Sequence, residues 1–352
     1  MLFSIDEDSG ARVIGWVMPN HPSSTPRIRA YFNDEQKHVV EAQIFRPLLK
    51  EQGLHNTGIC GFVLDENTCS GISTAEVLSL YDDETNTLIY QRRPTGPLFE
   101  FKLLRVETQL LRLTPVDDVF KPRFHMTYLG LETIPDETTT SIFGIPFTSS
   151  IYAAGRIHYH NFSALLHDRG FKTVILLRDP YEELAERLLI LKLAKTPAAG
   201  GSVKLLGQAI LGALHIVRDV DFSTVEGVDR AVDRIDDVSR PLLQNSLARQ
   251  LSTKSDDDPL YPLAVGTALV TLSEFDLVGM RSNWRSFAEM FGAVMGIDPQ
   301  LPDAKLESYR SVQDLADVLR ASAKVSDLIG MDMEIYEAVS RATENATKEA
   351  VG

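Results

Sequence analysis

Two histidines one residue apart, His158 and His160, and an arginine, Arg178, stand in the stretch GRIHYHNFSALLHDRGFKTVILLRDPYEEL, which runs from Gly155 to Leu184. Imidazole changes charge near neutral pH, so either histidine can take a proton from a hydroxyl group within hydrogen-bond reach. An i, i+2 spacing places both rings on one side of an extended strand. The same spacing suits two ligands of a metal ion, with His125 and His167 the nearest candidates for a third. Arg178 follows the apolar run KTVILL and precedes Asp179 and Pro180, which cap and open a helix. A guanidinium at that junction lies beside unpaired backbone N–H groups and favours an anion such as phosphate. Each residue also has a structural role open to it. Arg178 can pair with Asp179, Glu182 or a more distant acid, and the histidines can be satisfied hydrogen-bonders at a strand edge while Tyr159 and Phe162 pack.

The elements that must position these groups change character along the chain. Up to about residue 105, six short runs alternate and turn: ARVIGWVM, RIRAYFN, HVVEAQIF, GICGFVL, AEVLSLYD and TLIYQRR. Turn formers such as PNHPSSTP, NDEQ, DENT and DDETN separate them, which suggests an all-β sandwich over 1–105. From about 110, buried strand candidates (KTVILL, FDLVGM) mix with long amphipathic stretches, the pattern of an α/β domain over 110–352. PYEELAERLLILKLAK is the clearest helix, and others are expected at 203–218, 225–238, 240–251, 260–272, 283–296, 311–320 and 333–348. KTPAAGGS and STKSDDDP read as surface loops.

Bulk properties narrow the functions available. The 352 residues are 44% apolar and 24% charged, as in ordinary globular proteins. A net charge of -14 opposes general nucleic-acid binding, which needs clustered Lys and Arg. No apolar run reaches the roughly 18 to 20 residues of a membrane span, and the start MLFSIDEDSG turns acidic at once, so a cytoplasmic protein is expected. Cys60 and Cys69 are too few for a disulfide framework and read as packing thiols.

Two resemblances go further. AQIFRPLLKEQGLHNTGICGF, with Arg46, Pro47, Leu49, Gly53, Gly58, Gly61 and Phe62, resembles a segment of β-sandwich modules attached to bacterial glycan-handling enzymes. The order His-x-His, Phe162, buried strand, Arg178-Asp179-Pro180, helix is similar to carbohydrate sulfotransferases, especially the 2-O-sulfotransferases that modify uronic acids. PLLQNSLARQL, with Asn245, Arg249 and Leu251, and LSEFDLVGM, with Phe275, Asp276, Val278 and Gly279, agree with that family in sequence order.

The resemblance implies a P-loop-like parallel sheet and transfer of a sulfuryl group from 3′-phosphoadenosine 5′-phosphosulfate (PAPS) to a sugar hydroxyl of a bacterial surface polysaccharide or its precursor. No metal is implied. His160, or His158 on the other register, would be the base, and Arg178 would contact the 3′-phosphate, with Arg249 a further donor ligand. The 5′-phosphosulfate turn, between the first strand and helix in the family, finds its counterpart in IPDETTTSIF, where Thr138, Thr139, Thr140 and Ser141 would hold the anion. Departures are visible: Glu186 stands where the family has a phosphate-binding serine, and Asp136 and Thr138 replace lysine and glycine. Hence the alternative reading, a non-catalytic protein of the same fold acting in glycan binding or assembly, and a weaker third, a transferase using another activated donor. Implied partners are a carbohydrate acceptor and other glycan-biosynthesis proteins, with homo-oligomerisation open.

Overall fold

The computed structural model describes residues 1–33, 35–93, 96–194, 208–297 and 308–351. KTPAAGGS and the first residues of the helix expected over 203–218 lie outside them. The chain forms two compact units: the first comprises Met1–Leu103, Phe120–Ala153 and Leu165–Phe171, the second Leu104–Val119, Ala154–Ala164 and Lys172–Gly352. The chain first passes from one unit to the other at Leu103–Leu104 and crosses between them several times after that.

In the first unit, β1 (Leu2–Asp8), β2 (Val13–Met18), β3 (Arg27–Phe32), β4 (Glu35–Glu41), β5 (Ile44–Phe45), β6 (Ile59–Leu64), β7 (Leu78–Asp82) and β8 (Leu88–Arg92) build two antiparallel sheets, ordered β1-β2-β6-β5 and β4-β3-β7-β8. Period-2 burial shapes β3, where Ile28, Ala30 and Phe32 are buried, while in β7 Leu78, Ser79 and Leu80 are all buried. Strand β1 meets β8 across the sheets, where Asp8 accepts from Arg92 Nη2 and Nε, both at 2.8 Å, and from the Tyr90 hydroxyl. Burial opposes the Asp8 charge, and these donors outweigh it, holding its pKa below the usual value. A short helix α1 (Pro47–Glu51) follows β5, with Pro47 in its first turn.

Strands β9 (Lys102–Val106), β10 (Met126–Leu129), β11 (Ile151–Gly155), β12 (Phe171–Leu177) and β13 (Leu277–Met280) form a five-stranded parallel sheet in the order β10-β11-β9-β12-β13. The last residues of β9, β11, β12 and β13 all belong to the second unit. Helices α2 (Thr114–Phe120), α3 (Asp136–Gly144), α4 (Ser163–Asp168) and α5 (Pro180–Ala194) follow β9, β10, β11 and β12 in turn. Then come α6 (Gln208–Ala213), α7 (Val225–Val232), α8 (Arg240–Leu243), α9 (Ser246–Ser252), α10 (Ala264–Ser273), α11 (Trp284–Met295), α12 (Arg310–Arg320), α13 (Ala323–Leu328) and α14 (Gly330–Val351). Leu184, Leu188 and Leu191 of α5 pack with Val312, Leu315 and Leu319 of α12 in the second unit's core.

Helices α9 and α14 cap one another. Asn245, at φ 46, accepts through Oδ1 from the Met331 N–H at 3.0 Å and the Asp332 N–H at 3.3 Å. Asp332 in return accepts from the Ala248 N–H at 2.8 Å and the Leu247 N–H at 3.2 Å. Both helix starts thus satisfy N–H groups that would otherwise lack partners. Of Asn245, Arg249 and Leu251, which the resemblance singles out together, Asn245 forms this junction and the other two lie further along α9.

Candidate functional site at the carboxyl edge of the sheet

Strand order locates the site. The first strand, β9, is central, with β11 on one side and β12 on the other: the chain runs from β9 to β10 and β11 on one side, then crosses to β12 and β13 on the other. Open α/β sheets bind ligands at the carboxyl ends flanking such a switch point. Here the residues directly after β9, β11, β12 and β13 are Glu107, Arg156, Arg178 and Arg281.

Glu107 fills the turn after β9. Its carboxylate accepts from the Leu113 N–H at 3.3 Å, the Gln109 N–H at 3.5 Å and Gln109 Nε2 at 3.3 Å, and forms a buried ion pair with Arg105. Arg105 also holds Asp117 of α2 at 2.7 Å. The turn's carbonyls are engaged as well: Gln250 donates to that of Glu107 at 2.8 Å, Arg187 to Thr108 at 2.8 Å, and Arg156 to Gln109 at 2.9 Å and Leu110 at 3.2 Å. A carboxylate inside a ring of N–H groups stands in the geometry a bound anion would take.

Arg178 is likewise taken by the protein's own acids. With its side chain 2% exposed, it meets Glu186 at 2.6 Å and Glu182 at 3.3 Å, and donates to the Ser308 hydroxyl at 2.8 Å. Burial opposes its charge, but Glu186 and Glu183 more than offset this and raise its pKa. Glu183, pushed up by burial, is held by Arg187 at 2.9 Å. Arg281 donates to the Gln109 side chain, and burial and the Arg178 charge lower its pKa.

The histidine pair departs from the expected strand. β11 ends at Gly155, and Tyr159–Asn161 form a single 3-10 turn, so the two rings meet different partners. His158 places Nδ1 3.2 Å from the Thr253 carbonyl and Nε2 3.2 Å from an Asp256 oxygen. Both nitrogens face oxygen acceptors, an arrangement that a doubly protonated ring satisfies in full and a neutral ring at one nitrogen only. His160 Nε2 lies 3.0 Å from Thr271 Oγ1, whose own proton goes to the Leu251 carbonyl at 2.9 Å. That network assigns the hydrogen to Nε2 of His160 and leaves Nδ1 as its acceptor atom. Arg249 donates to the carbonyls of Asp256 at 2.9 Å and Asp258 at 2.5 Å, so it fixes the loop that carries the His158 partner. Among the described residues, no three His, Cys, Asp or Glu side chains gather as a metal site.

The segment with Thr138, Thr139, Thr140 and Ser141 requires a correction. It follows β10, the second strand, and forms the helix α3, whereas the first strand β9 leads into Glu107–Leu113. The hydroxyls of Thr140 and Ser141 bond back to the carbonyls of Asp136 and Glu137, at 2.8 and 3.3 Å, and Thr138 accepts from the Met1 ammonium at 2.9 Å. Thr139 is 1% exposed. These four residues belong to the first unit, Arg178 to the second.

Arg105, Glu107, Gln109, Arg156 and Arg281 escaped sequence reasoning. A signal existed: apolar runs ending directly in arginine recur as YAAGR, VILLR and LVGMR. In comparisons with known proteins, the chain matches no family model, no curated protein and no solved structure.

Proposed function

We propose that this protein is a non-catalytic relative of the sulfotransferase architecture, its donor site filled by its own side chains, and that it acts in glycan binding or assembly. The observation that carries this reading is the pair of internal carboxylates: Glu107 inside the turn after β9, and Glu186 on Arg178. A phosphate entering either place would meet a buried carboxylate; two unit charges about 4 Å apart repel by about 4 kcal/mol at an effective dielectric of 20. The glycan half of the proposal is supported by the resemblance around Arg46–Phe62. No described helix is long and apolar enough to cross a membrane. A cytoplasmic location and partners among glycan-biosynthesis proteins belong to the same proposal.

A second reading is favoured by one observation: the histidine segment and Arg178 follow β11 and β12, the strands on either side of β9. Under it, the protein transfers a sulfuryl group from PAPS, with His160 or His158 as base, after Glu186 releases Arg178. Isothermal titration with 3′-phosphoadenosine 5′-phosphate separates the two. The non-catalytic reading expects no binding at about 1 mM, a Kd corresponding to only about 4 kcal/mol. Submillimolar binding that disappears in a folded Arg178→Ala variant overturns it in favour of the transferase.

A further inference from the structure

We propose that the β4-β3-β7-β8 sheet carries a binding site for a pyranose unit of an oligosaccharide, formed by Tyr31, Ser79, Tyr81 and Asn86. The ligand class rests on the glycan half of the function proposed above, while the place rests on the geometry of this sheet alone. These four residues line a concavity of about 300 Å³, within the range of small-ligand sites. The pairing of β3 with β7 sets Tyr31 opposite Ser79 and Arg29 opposite Tyr81, in alternation with the buried Ile28, Ala30 and Leu80.

The two phenol rings lie 5.3 Å apart at 75°, so they offer aromatic surface in two nearly perpendicular planes. The C–H face of a pyranose carries slight positive charge and packs on the negative face of such a ring. Polar groups are ordered beside them. Arg29 donates to the Tyr31 hydroxyl at 3.3 Å and to Asn86 Oδ1 at 2.6 Å, which fixes the carboxamide and leaves Nδ2 to donate. Ser79, 3% exposed, accepts from Gln91 Nε2 at 2.9 Å. Asp83 holds Arg29 at 3.1 Å and also pairs with Arg27, so it fixes both guanidiniums on this face of β3. Asn86, at φ 57, sits in the turn between β7 and β8, a backbone conformation that asparagine tolerates.

Saturation-transfer NMR on the full chain with neutral gluco-, manno- and galacto-trisaccharides tests the proposal. At least one is expected to bind at low millimolar concentration, with Tyr81→Ala weakening it about tenfold. Because Tyr81→Ala removes packing, Asn86→Gly provides a second variant: it keeps the left-handed turn, deletes the carboxamide, and is expected to weaken binding about fivefold. A trisaccharide bound equally by wild type and both variants overturns this site and leaves the glycan reading standing. No binding by any of the three at about 10 mM overturns both.

Discussion

Arg29 of the first unit and Arg178 of the second each meet carboxylates, but in different surroundings. The Arg29 side chain is 20% exposed, shares the acid Asp83 with Arg27, and stands beside an open concavity with two tyrosines. The Arg178 side chain is 2% exposed, with Glu182 and Glu186 both in reach. Similar residue types thus build a surface able to receive a polar ligand in one region and a closed electrostatic network in the other. The difference lies in burial: a charge kept from water must find its counter-charge within the protein.

Breaking the closed network should have the largest effect. Glu186→Ala leaves Arg178 short of its nearest counter-charge, and Glu107→Ala strips Arg105 and the turn after β9; each should destabilise the protein by about 3 to 5 kcal/mol in urea unfolding. Asp83→Ala in the open site should lose only about 1 kcal/mol. Equal losses at the two places would show that burial does not separate the two arginines.

The Asp332 carboxyl sharpens the same point through pH. Burial raises its pKa from 3.8 to about 6, against the opposing N–H bonds from Ala248 and Leu247. The folded state therefore holds this proton more tightly than the unfolded chain. Its contribution is fully present below about pH 4 and is lost as pH rises to about 6, a change of about 3 kcal/mol. Asp332→Asn should flatten that slope in urea midpoints measured between pH 4 and 7; an unchanged slope would mean that another group governs it. The smallest effect is expected at the exposed loop, where Asp256, its side chain 67% exposed, faces His158. Asp256→Ala should change stability by about 0.5 kcal/mol, and a loss several times larger in the same urea assay would make that pair structural.

What the sequence made legible follows from the range of the interactions concerned. The six alternating runs became β2, β3, β4 with β5, β6, β7 and β8, because period-2 burial is local. β1 escaped notice because LFSIDED ends in acids, one of which, Asp8, is paired with Arg92 of β8. KTVILL announced β12, but KLLRV, lying in a longer apolar stretch, did not announce β9. Missing β9 as the first strand displaced the expected anion turn onto α3. Parallel pairing joins segments far apart in the chain, so no local pattern identifies the central strand. Glu186 was readable as an obstacle from its spacing to Arg178, whereas the place of Glu107 emerged only with the order of the sheet.

The reciprocal caps of α9 and α14 also bear on how the chain reaches this structure. Asn245 and Asp332 are 87 positions apart, so their contacts close a long loop. Closure entropy grows only slowly with loop length, but it must be met before these hydrogen bonds can form. The two helix starts should therefore acquire protection from hydrogen exchange together, and late in refolding. The C-terminal helix is then less an appendage than the last segment to lock, and a chain interrupted before Asp332 would lack the partner for the start of α9.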